Sequence, residues 1–171
     1  MQMKERLVMQ DLLNISSLEE LVATIIDIIK YTFVIELWGA MILGLAFSLE
    51  GYDFSKALYY GFFHAISAFC NAGFSLFDNS LEGFATNPLI HGTIAILVTC
   101  GGLGFIVLKE LKTAVTKKLS FARLGLHTKI VIVSSIILTL SGTIILFFGE
   151  FLNALDGLSV WEKLQVAFFQ S

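Results

Sequence analysis

Long apolar runs alternate with short polar segments along this chain, a pattern that predicts helices crossing a membrane. Tyr31–Leu49 and Ile130–Phe148 are nineteen residues each, and as helices they would measure roughly 28 Å, close to the ~30 Å hydrocarbon core of a bilayer. A third run begins at Asn87 and Pro88, where the asparagine can cap a helix and the proline fits its first turn. The pattern therefore predicts three spans, over residues 31–49, 88–108 and 130–148.

A fourth apolar stretch, Phe62–Phe77, is too short and too interrupted to cross. Asn71 and Gly73 within it disfavour a helix, and a helix over 56–69 would be roughly 21 Å long, short of the bilayer core. Irregular backbone at membrane depth is tolerated where protein or a water-filled cavity surrounds it. We therefore predict a re-entrant pore helix over 56–69, capped by Asp53 or Ser55, followed by an irregular filter loop over 70–77.

The residues that follow the predicted pore helix are candidates for binding a cation. A cation that leaves water needs its hydration shell replaced, and backbone carbonyls along a narrow passage can do this without fixed charges. A glycine can adopt positive φ angles that let successive carbonyls turn toward one axis, and the partial negative charge at a helix C-terminus favours a cation. We expect the carbonyls of Cys70, Asn71, Ala72 and Gly73 to be the ligands.

The end of the chain repeats an earlier segment. Leu164–Gln170 aligns without gaps on Leu58–His64, with three identities and an alanine in place of a glycine. Ser159 and Glu162 before it have the spacing of a capping box. We therefore predict one complete pore repeat over 18–109 and the start of the next over 130–171, with its pore helix from residue 160. A fragment of a longer pore protein is expected.

Composition and charge agree with an all-α integral membrane protein. Hydrophobic residues make up 56% of the 171 residues, and mean hydropathy is +0.82. Lys109–Lys129 carries six of the eleven basic residues and one acid, which places this linker in the cytoplasm by the positive-inside rule. Residues 1–17 are predicted as a cytoplasmic or interfacial segment, and Ser17 with Glu20 as a capping box that starts the first long helix.

Five further side chains are candidates for chemistry, and a structural role is expected for each. Glu36 within a span should face protein or water because a charge facing lipid is costly. His64 and His91 each lack a second ligand at helical spacing, so core or loop-anchoring roles are favoured over metal binding. Cys70 and Cys100 are expected to be buried free thiols. No catalytic motif lies in the spans, so an enzyme is not expected.

Three segments carry a family resemblance. Tyr59–Phe77 resembles the pore helix and filter loop of the Trk/Ktr/HKT potassium transporters, closest to the membrane subunit of bacterial Ktr systems. Gly101–Ile106 and Leu126–Lys129 resemble that subunit too, so the similarity covers nearly the whole chain. The resemblance implies four units of helix, pore loop and helix in one chain, as in potassium-channel-like pores. Each unit would donate one filter glycine, which is Gly73 here.

The same resemblance implies the function and its setting. The full protein would be a multi-pass subunit of the cell membrane, in contact with lipid, that takes up potassium ion as its substrate without a covalent cofactor, with sodium as an activator in some systems. Its implied partners are the remaining repeats, a second copy in a homodimer and a cytosolic nucleotide-binding regulatory subunit; no nucleic acid is implied. Two alternatives stay open: a sodium-conducting or sodium-coupled transporter, and a membrane scaffold or intramembrane enzyme with a re-entrant loop.

Overall fold

The computed structural model describes residues 18–171, and the side chains from residue 21 onward. Within this part the chain is all helical, without strands, which confirms the predicted fold class. The predicted segment 1–17 and the capping box of Ser17 and Glu20 lie outside the described residues. The helices are α1 (Leu18–Leu49), α2 (Phe54–Phe69), α3 (Pro88–Leu103), α4 (Phe105–Thr116), α5 (Leu126–Gly149) and α6 (Val160–Gln170), with 3₁₀ turns at Glu82–Phe84 and Phe121–Arg123.

The chain divides into two compact units, residues 1–35 and 36–171. The described part of the first unit is the beginning of α1, where Val22, Ile29 and Phe33 are exposed. The second unit contains the rest of α1 and all later helices. Two helices in the described part of the chain are long and apolar enough to cross a membrane, Leu21–Leu49 and Leu126–Gly149, and α3 with α4 can form a third, broken span.

Helix starts follow the capping residues that the sequence predicts. α2 begins two residues earlier than expected, with Asp53 as N-cap and its carboxylate accepting from the Ser55 amide at 3.2 Å. The Asn87 side chain accepts from the amides of Leu89 and Ile90, at 3.0 and 3.2 Å, at the start of α3. These short-range hydrogen bonds satisfy amides that have no partner inside the helix.

The third predicted span is not one straight helix. Where the sequence predicts an uninterrupted span over 88–108, α3 ends at Leu103 and α4 begins at Phe105, with a bend of 108° between them. Gly104 adopts φ +83°, a left-handed conformation that interrupts the ladder of helical hydrogen bonds and that glycine adopts at little cost. The chain therefore turns sharply at Gly104, and α4 occupies the first part of the predicted linker 110–129.

α2 packs against α1 through a contact that only a glycine allows. A Cβ placed on Gly61 would lie 2.5 Å from the carbonyl oxygen of Ala40 and 2.6 Å from the amide nitrogen of Gly44. Small residues on both helices therefore bring the two backbones together, which increases dispersion contacts within a membrane.

The second unit's final helices reproduce this arrangement in part. α6 packs on α5, and Ala167, at the position that aligns with Gly61, is 1% exposed. Ser159 and Glu162 form the predicted capping box, with both reciprocal hydrogen bonds present. The side chain of Lys163 is buried, and its ammonium donates to the Phe151 carbonyl at 2.6 Å. Ala167 and Gly61 are thus both buried, and the internal repeat stays a prediction.

Candidate functional site: the filter loop

The filter loop begins as a continuation of the hydrogen bonding of α2. The amides of Cys70, Asn71 and Ala72 all point back toward the helix, and each donates to a carbonyl of its last turns. Asn71 adopts φ +53°, a left-handed conformation that turns the chain out of the helix. The acceptors are the carbonyls of Ile66, Ala68 and Ser67, at 2.9, 3.0 and 2.9 Å respectively.

The carbonyls of the same residues have no such partners. Among the hydrogen bonds of residues 18–171, none ends on the carbonyl oxygen of Cys70, Asn71, Ala72 or Gly73. The amides of Cys70, Asn71 and Ala72 are thus engaged by the helix, whereas their carbonyls stay unpaired. Backbone carbonyls without a hydrogen-bond partner are available to replace the hydration shell of a cation.

The run of unpaired carbonyls ends at Phe74. The Ser67 hydroxyl, from the last turn of α2, donates to the Phe74 carbonyl at 2.8 Å. Gly73, immediately before it, has φ +71°, a conformation that lets the chain reverse toward the helix. The backbone therefore changes direction between Gly73 and Phe74, and the serine fixes where that change occurs.

His64 holds the next part of the loop. Its Nδ1 lies 2.8 Å from the Tyr60 carbonyl, which can only accept, so Nδ1 carries the hydrogen and Nε2 is an acceptor. Nε2 accepts from the Ser75 hydroxyl at 3.3 Å and from the Leu76 amide at 3.5 Å. His64 is 2% exposed. The loop-anchoring role that the sequence predicts for this histidine is confirmed.

An aromatic cluster around the fully buried Phe47 fixes the imidazole in place. Phe77, at the end of the filter loop, stacks on His64 with ring centroids 5.2 Å apart and planes 17° apart. Phe47 of α1 contacts both rings. Because these tilted and stacked contacts restrict rotation of the imidazole, they hold its acceptor nitrogen toward the loop. The cluster also includes Tyr52, Tyr60 and Phe84.

Gly73 itself is exposed, and a Cβ placed on it would meet nothing within 4 Å. A Cβ would therefore have room at residue 73. The φ angle of +71° nevertheless favours glycine, because residues with a Cβ rarely adopt it. The side chain of the neighbouring Asn71 donates to the Phe69 carbonyl at 3.4 Å. This contact joins the Asn71 side chain to the last residue of α2.

The loop borders a cavity of about 910 Å³ whose far wall is formed by α6. Asn71 and Gly73 lie on one side, and Ala167 and Phe169 on the other. His91 of α3 lines the same cavity and stacks on Phe169, with ring centroids 4.2 Å apart. Part of the filter loop therefore faces the space that separates it from α6.

The other candidate side chains have the following environments. His91 is 7% exposed and its Nδ1 has no hydrogen-bond partner among the described residues. Glu36 is half-buried, and its carboxylate makes no hydrogen bond within the described part of the chain. Both cysteines are free, but Cys70 is exposed, so its predicted burial is wrong. It caps α2 at the start of a loop that no helix covers.

Residues 18–171 contain no group of three or more acidic, histidine or cysteine side chains able to hold a metal ion. Cation binding through the backbone carbonyls of residues 70–73 therefore stays a prediction. Ser67 and Phe47 also support this loop, and neither is among the site residues that the sequence predicts. The spacing of Ser67, three positions after His64 on the same helix, could have indicated its role, because residues at i and i+3 lie on one face of a helix.

Fold and site together define a helical membrane protein with a re-entrant helix and pore-type loop. The chain belongs to the TrkH family, described as cation transport proteins, whose model matches residues 1–167. This assignment confirms the predicted resemblance.

The chain is 32% identical over 171 residues to the Ktr system potassium uptake protein B of Bacillus subtilis (strain 168), covering 99% of this chain and 37% of that protein. It is 32% identical over 168 residues to the potassium/sodium uptake protein NtpJ of Enterococcus hirae, and this alignment covers 97% of this chain and 36% of that protein. Identity to the Ktr system potassium uptake protein B of Vibrio alginolyticus is 35% over 146 residues, and this alignment covers 84% of this chain and 31% of that protein. The chain thus spans about a third of the length of these relatives.

Proposed function

We propose that this chain forms part of the ion-conducting subunit of a Trk/Ktr-type transporter that takes up potassium across the cell membrane. The observation that carries the proposal is the run of four unpaired carbonyls, from Cys70 to Gly73, at the C-terminal end of α2. Such carbonyls can replace the hydration shell of potassium. The helix dipole adds a partial negative charge beside them. Potassium is the substrate, and no covalent cofactor takes part.

The wider assembly is also proposed. In the complete protein, further repeats contribute matching loops, because one loop surrounds an ion on one side only. The basic linker 109–129 lies in the cytoplasm, where it contacts anionic lipid headgroups or a nucleotide-binding regulatory subunit. The name of the system to which two relatives belong refers to several components, which supports a partner subunit. A homodimer is proposed from the family resemblance alone.

A second candidate is sodium passage or sodium coupling. One relative is named as a potassium/sodium uptake protein, and backbone carbonyls bind either ion. The distinction depends on how closely the assembled loops fit each cation. Competition between the two ions in one uptake assay separates the candidates.

The decisive experiment replaces Gly73 by Ser in the full-length protein and measures uptake of both ions. A serine side chain meets no neighbour there, but φ +71° costs about 1–2 kcal/mol for any residue with a Cβ. We expect the loop to relax and the potassium preference to fall. Gly51→Ser is the matched control, because Gly51 has φ +93° and open space around it but lies in the turn before α2. Unchanged affinities for both ions in Gly73→Ser would refute the assignment.

A further inference from the structure

Two side chains of α2 hold the filter loop from behind. Ser67 and His64 lie one turn apart on α2, and both point toward the segment that follows Gly73. Ser67 binds the Phe74 carbonyl, whereas His64 accepts from Ser75 and from the Leu76 amide. Consecutive residues 74, 75 and 76 are thus all tied to one face of one helix.

We propose that Ser67 and His64 are positioning residues that set ion selectivity by fixing where the run of free carbonyls ends. This inference rests on the proposed function of the loop. Neither side chain touches the ion. The Ser67 hydroxyl binds the Phe74 carbonyl, so this carbonyl does not coordinate the ion. The run of unpaired carbonyls that starts at Cys70 therefore comprises four carbonyls and stops at Gly73. His64 prevents residues 75 and 76 from moving the loop along the helix.

Selectivity depends on this restraint for a physical reason. Potassium and sodium differ in radius, so a set of carbonyls discriminates between them only if the ligands keep their number and spacing. Without the Ser67 hydroxyl, the Phe74 carbonyl is free to rotate, and Gly73 next to it offers little resistance because glycine adopts many conformations. The loop then accommodates the smaller ion as well as the larger one.

The anchoring nitrogen of His64 depends on its tautomer. Nε2 is an acceptor because Nδ1 donates to the Tyr60 carbonyl. A residue with an acceptor at a similar reach can replace it, and the repeat suggests which one. Gln170 occupies the position that aligns with His64 at the end of α6. Glutamine is therefore the conservative substitution for His64.

The test uses the full-length transporter in cells that lack other potassium uptake systems, with the apparent KM for potassium and the inhibition by sodium measured together. Ser67→Ala removes the hydroxyl, and Ser67→Thr keeps it. We expect Ser67→Ala to lower the potassium preference by about three- to tenfold, as for the loss of one hydrogen bond. Ser67→Thr should retain the preference of the wild type.

A matched control separates positioning from folding. Thr93 is 8% exposed, the same fraction as Ser67, but its hydroxyl donates to the Leu89 carbonyl within α3. Thr93→Val should leave the preference for potassium over sodium unchanged, whatever it does to the amount of protein in the membrane. His64→Gln should stay near the wild type, and Ser75→Ala, which removes the hydroxyl bound to Nε2, should lower the preference.

The outcomes distinguish the inference from the proposed function. If the wild type prefers potassium and Gly73→Ser loses that preference while Ser67→Ala keeps it, the positioning role is wrong and the filter assignment stands. Equal loss of uptake of both ions in Ser67→Ala, with an unchanged ratio, also overturns the positioning role, because it indicates a purely structural contribution. A wild type without potassium preference overturns the proposed function itself.

Discussion

The backbone of Gly101 in α3 lies directly against the carbonyl oxygen of Phe69, the last residue of α2. A Cβ placed on Gly101 would be 1.8 Å from that oxygen, and 2.9 Å from the Phe69 carbonyl carbon. Since the filter loop starts one residue later, α3 sets the position from which the loop departs. The loop is therefore restrained from two sides, by the hydroxyl and imidazole of α2 and by the glycine of α3.

Replacing Gly101 by Ala should displace the end of α2 and with it the filter loop. The overlap involves backbone atoms, which no side-chain rotation can relieve, and overpacking of this kind costs about 1–3 kcal/mol. We expect reduced potassium uptake with a raised KM, and a lower melting temperature of the full-length protein in detergent.

Gly102→Ala is the control for this substitution. The nearest atom to a Cβ at Gly102 is the side-chain nitrogen of Asn71, at 3.9 Å, an ordinary contact. Both glycines lie in the last turn of α3, so the gain in helix propensity, about 1 kcal/mol, is shared. If Gly101→Ala and Gly102→Ala behave alike, the close approach to Phe69 does not matter for the loop.

The packing of α2 on α1 leads to a second prediction. Gly61→Ala should separate the two helices, because the added Cβ would lie 2.5 Å from the Ala40 carbonyl oxygen and 2.6 Å from the Gly44 amide nitrogen. We expect lower thermal stability and less protein in the membrane. Gly92→Ala in α3 meets nothing within 4 Å, so it should be neutral or slightly stabilising. Thermal stability of Gly61→Ala equal to that of Gly92→Ala would contradict the packing argument.

Local features of this fold could be predicted from the sequence. The caps formed by Asp53, Asn87 and Ser159 involve residues two or three positions apart, so spacing alone identifies them. Apolar run length similarly indicated α1 and α5. Asn71 and Gly73 marked the end of α2 because both adopt left-handed backbone conformations.

The remaining features depend on contacts between distant residues. The uncharged apolar run continues through Gly104 to Leu108, so it does not reveal the 108° bend. Gly101 and Phe69 are more than thirty positions apart, and the sequence around Gly101 does not indicate which segment it contacts. The exposure of Cys70 was missed for a related reason: an apolar neighbourhood in sequence does not imply a covered position in the fold.

Glu110 connects α4 to the start of α5 and leads to a prediction about pH. Its carboxylate accepts from the Thr128 hydroxyl and from the Gly125 amide, the latter at 2.5 Å. The hydrogen bond from Thr128, then that from Gly125, lowers the pKa of Glu110 below its ordinary value. The carboxylate thus caps α5, where the helix dipole favours negative charge.

The sign of the effect follows from the lowered pKa. Stabilisation by Glu110 is fully present above the ordinary carboxyl pKa and is lost as pH falls through the lowered value of the folded state. We expect Glu110→Gln to lower the melting temperature at neutral pH. We also expect the melting temperature of this variant to fall less than that of the wild type as the pH is lowered. Glu82→Gln, in the 3₁₀ turn after the filter loop, serves as a control without this cap. A melting temperature of Glu110→Gln with the pH dependence of the wild type would contradict the cap.

The capping box of α6 gives the last prediction, because it fixes where this helix begins. The Ser159 hydroxyl accepts from the Glu162 amide at 3.4 Å, and the Glu162 carboxylate accepts from the Ser159 amide at 2.8 Å. Ser159→Ala should destabilise the first turn of α6 by about 0.5–2 kcal/mol. Ser159→Asp, which keeps an acceptor, should restore it. Hydrogen exchange of the amides of Glu162 and Lys163 in the full-length protein measures the stability of this turn. If exchange in Ser159→Ala is as slow as in the wild type, α6 is held by its packing on α5 alone.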